Sequence, residues 1–435
     1  MEIKEQTFSG SVIAHIMPNC GQTLTGRKEC AKMKYLILVC DGMADYPIEE
    51  LGGLTPMEKA YKPFMDKLAK VSVCGTVSNV PQGMVPESDT ANIAIMSYDP
   101  KIYSKGRSPL EAVSMGLSMS DTDTAYRCNL VTLSEENCDY SERTMIDHSS
   151  DEITTAEADI LIKEIEKHFG RDGMHFYTGV SYRHCMILDN GPDKYNFMRP
   201  HDILTQKIGE YLPHGEYGEM FGRMMRESYD ILENHPVNVS RRERGLKPAN
   251  SLWFWSPGRK PALPNFKEKW GLDASVISAV DLIKGIGICA GMESIDVEGA
   301  TGNVHTNYKG KADAAIDAYR RGKDLVYIHV EAPDECGHRA ELQNKILSIE
   351  KIDKLILEPV FEYLKGSGEK FSVLILPDHP TPICKRTHTM DPVPFVLYFS
   401  DRVESGIDMY SEKNCAATKK YVPEGYKLLD IMIGK

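Results

Sequence analysis

Three strand-length apolar runs punctuate the chain, and each gives way to a carboxylate: KYLILVC runs into Asp41, DLVYIHVEAP into Asp334 and FSVLILP into Asp378. Continuous apolar runs of this length fit strands buried on both faces, as in a parallel sheet held between helices. Ligands of open α/β sheets gather beyond the carboxyl ends of the strands, so three aspartates there can share one site however far apart they stand in sequence. Helices fit between the strands. ELQNKILSIEKIDKLILEPVFEYL places Leu342, Ile346, Ile349 and Ile356 at three-, four- and seven-residue steps, an amphipathic stripe that packs on a sheet. TTAEADILIKEIEKHFG opens on Thr154 with Glu157 three residues later, the spacing of a capping box, and stops at Gly170.

A chain of 435 residues suits two domains, or one large α/β domain carrying an insertion. Residues 118–276 change character: they hold Arg127, Arg183, most of the tryptophans and the proline-rich SPGRKPALPNF. With strands of one sheet expected on both sides, the simplest topology is a core of residues 33–117 and 277–435 interrupted by an inserted α/β domain. The first 32 residues precede Met33, carry Glu2 and Glu5 and lack the apolar stretch of a signal peptide. They read as a poorly ordered extension, or as residues upstream of the true start.

Charge and cysteine usage narrow the class. A net charge of −12 argues against nucleic acid as a general partner, because backbone phosphates need a basic face. The longest apolar runs fall far short of the roughly 20 residues of a bilayer span, so no membrane crossing is expected. Eleven scattered cysteines without a C-x-x-C pair fit reduced thiols in a cytoplasmic protein.

The candidate chemistry lies in LPDHPTPICKRTH and its counterparts. Asp334 and His338 form D-x-x-x-H, Asp378 and His379 are adjacent, His388 follows, and Asp41 ends the first run. This mixed oxygen and nitrogen set suits Mn²⁺ or Zn²⁺, and two ions rather than one. Two metals about 3.5–4 Å apart can hold the attacking and leaving oxygens of an in-line phosphoryl displacement. Ser88, in VPESDTANIAIMSYDP, stands before an apolar run of helical character and is the candidate nucleophile. Each residue also has a plain reading: Asp as turn former, D-x-x-x-H as helix surface, and Ser as an N-cap worth about 1 kcal/mol. Cys40, Cys336 and Cys384 read as packing residues. The ordered recurrence after strands is what favours a joint site.

The stretches LILVCDGMAD, VPESDTANIAIMSYDP, AYRCNLVT, SYRHCMIL, AVDLIKGI, NYKGKADAA, HVEAPDECGH and PDHPTPICKRTH, in this order, resemble the cofactor-independent phosphoglycerate mutases of the archaeal type, members of the alkaline phosphatase superfamily. The resemblance implies an alkaline-phosphatase-like core and two divalent ions, Mn²⁺ first with Zn²⁺ or Mg²⁺ as alternatives, and no 2,3-bisphosphoglycerate. It implies one ion held by Asp334, His338 and His388, and a second held by Asp41, Asp378, His379 and the nucleophile Ser88. It further places Arg127, Asn129, Arg183 and Lys284 around the carboxylate and phosphate of a small phosphorylated metabolite, with Lys284 also neutralising charge during transfer. The expected activity is interconversion of 3-phosphoglycerate and 2-phosphoglycerate. NSLWFWSPGRKPALPNF and SAVDLIKGIGICAGM also resemble a bacterial branch proposed as homoserine kinases, so the alternatives are such a phosphotransferase or a metal-dependent phosphatase.

Overall fold

The sheet that carries the three apolar runs has eight strands, in the order Tyr421–Val422, Val73–Val77, Val393–Phe399, Phe371–Leu376, Lys34–Cys40, Leu325–Val330, Ala274–Ile277, Glu293–Ile295. Lys34–Cys40 lies at its centre, parallel to Leu325–Val330 on one side and to Phe371–Leu376 on the other. All three are buried along their whole length, the reason they read as unbroken apolar runs. Only Val393–Phe399 runs antiparallel to its neighbours. The computed structural model describes residues 33–195 and 197–435, so the extension expected at residues 1–32 lies outside the described residues.

Two compact units are distinguished: the chain up to Ser104 together with Leu263–Lys435, and Lys105–Ala262 between them. The divisions fall at 104/105 and 262/263, so helix Ser108–Ser114 goes with the inserted unit and strand Ala274–Ile277 with the large sheet. The inserted unit is α/β with an antiparallel sheet. Thr124–Leu133 is flanked there by Arg183–Leu188 and Ser251–Arg259, and Met174–Val180 and Met145–Asp147 complete the five strands. Ile162 and Ile165 of helix Thr155–Phe169 and Phe221 and Met225 of helix Gly218–Leu232 share a core with Tyr126, Leu130 and Phe254 of that sheet.

The amphipathic stripe packs as its spacing predicts. Ile346, Ile349 and Ile356 are buried with Leu36, Leu38 and Val373 of the large sheet, and Leu342 is partly buried at the end. The run is not one regular helix: Leu342–Ile352 and Glu358–Gly366 are joined by a π turn at Asp353–Leu357. Pro359 accounts for it, since its ring crowds the carbonyl four residues back and it has no N–H to return. At the other predicted helix Thr154 Oγ1 accepts from the Glu157 N–H at 3.3 Å. The Glu157 carboxylate takes the Thr154 hydroxyl and the guanidinium groups of Arg241 and Arg244, so the helix start is tied to a distant helix.

The π turn brings Asp353, 2% exposed, onto the start of helix Pro63–Ala69, where its carboxylate accepts from the N–H groups of Phe64 at 3.1 Å and Met65 at 2.6 Å. These first-turn donors have no partner within their own helix. Asp353→Ala is expected to destabilise the protein by about 2–4 kcal/mol by stranding two buried donors, and Asp353→Asn, which keeps one acceptor oxygen, by less. Denaturant midpoints of the three proteins check the order; equal midpoints for wild type and Asp353→Ala would remove this cap from the account.

Candidate active site

The three aspartates converge because their strands are neighbours in one sheet and end on the same side. Asp41 follows the central strand directly, and Asp378 follows Phe371–Leu376 by way of Pro377. Asp334 and His338 lie one turn apart on helix Ala332–Arg339, which starts just beyond Leu325–Val330. Gly42 makes the approach possible: it has φ +61°, and a Cβ there would stand 2.6 Å from both the Asp334 Cα and the Thr381 hydroxyl. The segment that carries His379 and His388 is pinned by a buried ion pair. Lys345 Nζ donates to Asp45 Oδ2 at 2.7 Å and to the Thr381 carbonyl at 2.8 Å, while Asp45 accepts from the Ile383 N–H at 3.1 Å.

Two overlapping groups of ligand atoms result. In the first, His338 Nε2 lies 3.0 Å from His388 Nε2, and the two nitrogens lie 3.3 and 3.4 Å from the Asp334 oxygens. Each ring's other nitrogen faces a backbone carbonyl, Arg386 at 3.0 Å for His338 and Pro86 at 2.6 Å for His388. Donation to those carbonyls turns both Nε2 atoms toward each other, an arrangement that requires a proton or a cation between them. In the second, His379 Nε2 lies 3.8 Å from Asp41 Oδ1, 3.5 Å from Asp378 Oδ2 and 3.2 Å from the Ser88 hydroxyl. Ligand atoms of Asp41, Asp334 and His379 all fall within 4.8 Å of one another, as do those of Asp41, His329 and Asp378.

The electrostatics fit cations. Burial, then the charges of Asp378 and Asp334, push the Asp41 carboxyl well above the usual range. Burial also works against ionising Asp334, yet its hydrogen bonds from His338 and His388 hold it well below that range. The hydrogen bond to Asp334 raises His338 to about 9. Burial pushes His379 down, which leaves a neutral ring with a lone pair to offer. The same carboxylate that favours a proton on His338 would favour a divalent ion there, and binding of the ion would displace that proton. Asp41 Oδ1 is buried without a hydrogen-bond partner, as an atom waiting on an ion would be.

Ser88 is the first residue of helix Ser88–Ile95, and Glu87 rather than Ser88 holds the N-cap position, without a side-chain cap. The hydroxyl is thus not committed to capping and is directed at His379. Lys284, on helix Asp281–Cys289, has its ammonium 2.7 Å from Asp296 and 3.7 Å from Asp281.

The remaining candidates belong to the inserted unit. Arg127 and Asn129 alternate along Thr124–Leu133, and Asn129 lies opposite Arg183 in the register. Arg127 donates from Nε to Glu111 at 2.8 Å, pairs with it a second time through a terminal nitrogen, and stands over the Trp255 ring at 4.6 Å. Asn129 accepts from Trp255 Nε1 at 3.0 Å and donates to the His148 carbonyl at 3.2 Å. Arg183 is exposed.

Sequence reasoning missed His329, 1% exposed with Nε2 3.1 Å from Asp41 Oδ2, and Asn92, whose amide reaches Asp378. The available signal was polarity out of place: Tyr327 and His329 alternate within a buried strand, and Asn92 stands among Ala91, Ile93, Ala94 and Ile95 in a buried helix.

A family profile described as 2,3-bisphosphoglycerate-independent phosphoglycerate mutase matches residues 69–238. A protein of that name from Methanosarcina barkeri is 46% identical over 374 residues, 86% of this chain and 92% of its own. A Geobacter sulfurreducens protein described as a probable member is 44% identical over 404 residues, 93% of this chain and all of its own. Among solved structures, a Pyrococcus horikoshii protein superposes with TM-score 0.77 at 28% identity, covering 93% of this chain and 98% of its own. The cofactor-independent phosphoglycerate mutase of Thermoplasma acidophilum gives 0.63 at 25% identity over 92% and 99%. On this identity and coverage the chain belongs to the family of 2,3-bisphosphoglycerate-independent phosphoglycerate mutases.

Proposed function

We propose that the chain interconverts 3-phosphoglycerate and 2-phosphoglycerate in the cytoplasm through a phosphoserine on Ser88, with two divalent ions, Mn²⁺ in the first place. The observation that carries this reading is the pair of imidazole nitrogens 3.0 Å apart beside Asp334, next to a serine hydroxyl 3.2 Å from a further imidazole. Asp334, His338 and His388 would hold one ion, and Asp41, Asp378, His379 and Ser88 the other. When bound, the ions supply positive charge that lowers the cost of deprotonating Ser88 and of loading charge on the transferring phosphoryl group.

The chain's own residues account for the rest. Ser88 Oγ attacks phosphorus as the bond to the substrate's 3-oxygen breaks, and that oxygen leaves as the hydroxyl of glycerate. The first-turn N–H groups of helix Ser88–Ile95 receive the phosphoryl oxygens. Lys284 adds a positive charge, and Arg127, Asn129 and Arg183 are the proposed partners of the substrate's carboxylate and phosphate. Glycerate then turns, its 2-hydroxyl attacks the phosphoserine, and Ser88 recovers its proton. Water competes for the same intermediate, so exclusion of solvent separates a mutase from a phosphatase.

Ser88→Ala is expected to reduce mutase activity by on the order of 10⁴-fold or more, as loss of a covalent nucleophile does, with metal content nearly intact; a variant that still turns over refutes the assignment. Exhaustive chelation should abolish activity and Mn²⁺ restore it, and full activity with metal analysis at zero is incompatible with the reading. An assay offering 3-phosphoglycerate, then homoserine with a phosphoryl donor, on one Mn²⁺-loaded preparation should give turnover with the first only. Turnover with homoserine alone would assign the acceptor differently while leaving the serine chemistry standing.

A further inference from the structure

Asn92 lies one helical turn after Ser88, is 0% exposed, and makes three contacts with three different parts of the site. Its Nδ2 donates to the Ser88 carbonyl at 2.8 Å and to Asp378 Oδ2 at 2.8 Å. Its Oδ1 accepts from the Tyr327 hydroxyl at 2.5 Å. A side-chain amide has two N–H donors, and both are engaged. The opposite orientation would turn the amide oxygen toward a carbonyl and a carboxylate at once, so the acceptors around it settle which way it points.

The contacts join three elements of the site. Ser88 belongs to a helix and Asp378 to the turn after Phe371–Leu376, while Tyr327, also 0% exposed, rises from the central part of Leu325–Val330. Asp378 already accepts from the Gly42 N–H at 3.2 Å and its own neighbour's N–H at 2.9 Å, both through Oδ1. The Asn92 amide donates to Oδ2, the oxygen that faces His379. Asparagine is a poor residue for a helix interior flanked by Ala91, Ile93 and Ala94, and packing alone would favour an apolar side chain there.

We infer that Asn92, held in one orientation by Tyr327, is a positioning residue: it registers the helix of the serine nucleophile against the metal-ligating carboxylate of Asp378. The inference rests on the phosphoserine reading above. A polar group behind a ligand acts by fixing its direction, and loss of such a group weakens metal binding by roughly 10–100-fold.

The test is calorimetric titration of metal-free wild type, Asn92→Ala and Tyr327→Phe with Mn²⁺, together with melting temperatures and steady-state kinetics at saturating Mn²⁺. Asn92→Ala is expected to weaken one of the two Mn²⁺ sites about 10-fold or more, to leave the other within a few-fold, and to lower kcat with little change in KM. Tyr327→Phe should act on the same site, in the same direction and less strongly. A fall in melting temperature with both affinities and kcat at wild-type values would overturn the inference, as would equal weakening of both sites. Should Asn92→Ala fail to fold, Tyr327→Phe decides: selective weakening supports the inference, and wild-type affinities with wild-type kcat sink it. The titration is independent of substrate and of Ser88 chemistry, so normal binding by these variants alongside an inactive Ser88→Ala would discard the role of Asn92 and keep the phosphoserine reading.

Discussion

Carboxylate repulsion in a dry setting is the constraint around which this fold is organised. Asp41, Asp334 and Asp378 are at most 5% exposed, and ligand atoms within 4.8 Å of one another put Asp41 beside each of the other two. Two like charges at such a separation repel by roughly 3–4 kcal/mol even at an effective dielectric constant of ~20. No lysine or arginine is paired with these carboxylates among the described ion pairs; the groups facing them are His329, His338, His379 and His388. A proton on Asp41, whose carboxyl is pushed up, or on His338 or His388, whose pKa values are raised, relieves the repulsion, and a cation taking the imidazole lone pairs does the same work with two charges. The capacity for both states suits the site to a metal ion better than to a salt-bridge network.

The sheet order follows from the same requirement. Placing Lys34–Cys40 between Leu325–Val330 and Phe371–Leu376 in parallel brings their carboxyl ends to one edge, which no antiparallel pairing of these runs would do. Lys345 and Asp45 serve it at one remove. Their buried pair holds the segment after Phe371–Leu376 while adding no net charge to the cluster.

What was legible in the sequence is what repeats a known physical pattern. Apolar runs ending in Asp41, Asp334 and Asp378 announced strands and a shared edge, and i, i+4 spacing put His338 beside Asp334. Asn92, Tyr327 and His329 were not legible, because a single polar residue in a buried element carries no period and takes its meaning from partners more than 200 positions away, as Asn92 does from Tyr327 and Asp378. The antiparallel sheet of the inserted unit was also hidden, since its strands lack the continuous apolar signature and Arg127 sits inside one of them. Glu111, bound to Arg127, was invisible for a third reason: a pairing between helix and strand has no fixed sequence spacing.

The two groups of ligand atoms differ in exposure, and that difference bears on the chemistry. Asp41, Asp378 and His379 are 1% exposed, whereas the His338 and His388 side chains are 35% and 17% exposed. The proposed serine attack would belong to the dry side, where a fixed dipole such as the Asn92 amide acts with little screening by water. The open side is where a hydroxyl must depart and another arrive. Water can use the same approach, so nothing in the ligand set itself prefers glycerate over hydrolysis; occupancy of the open side by the acceptor must supply that preference. On the proposed reading the metal-ligating core accounts for how a phosphoryl group reaches Ser88, while the destination of that group is decided by whatever binds and orients the acceptor, and this is the level at which a mutase, a kinase-like transferase and a phosphatase built on one core diverge.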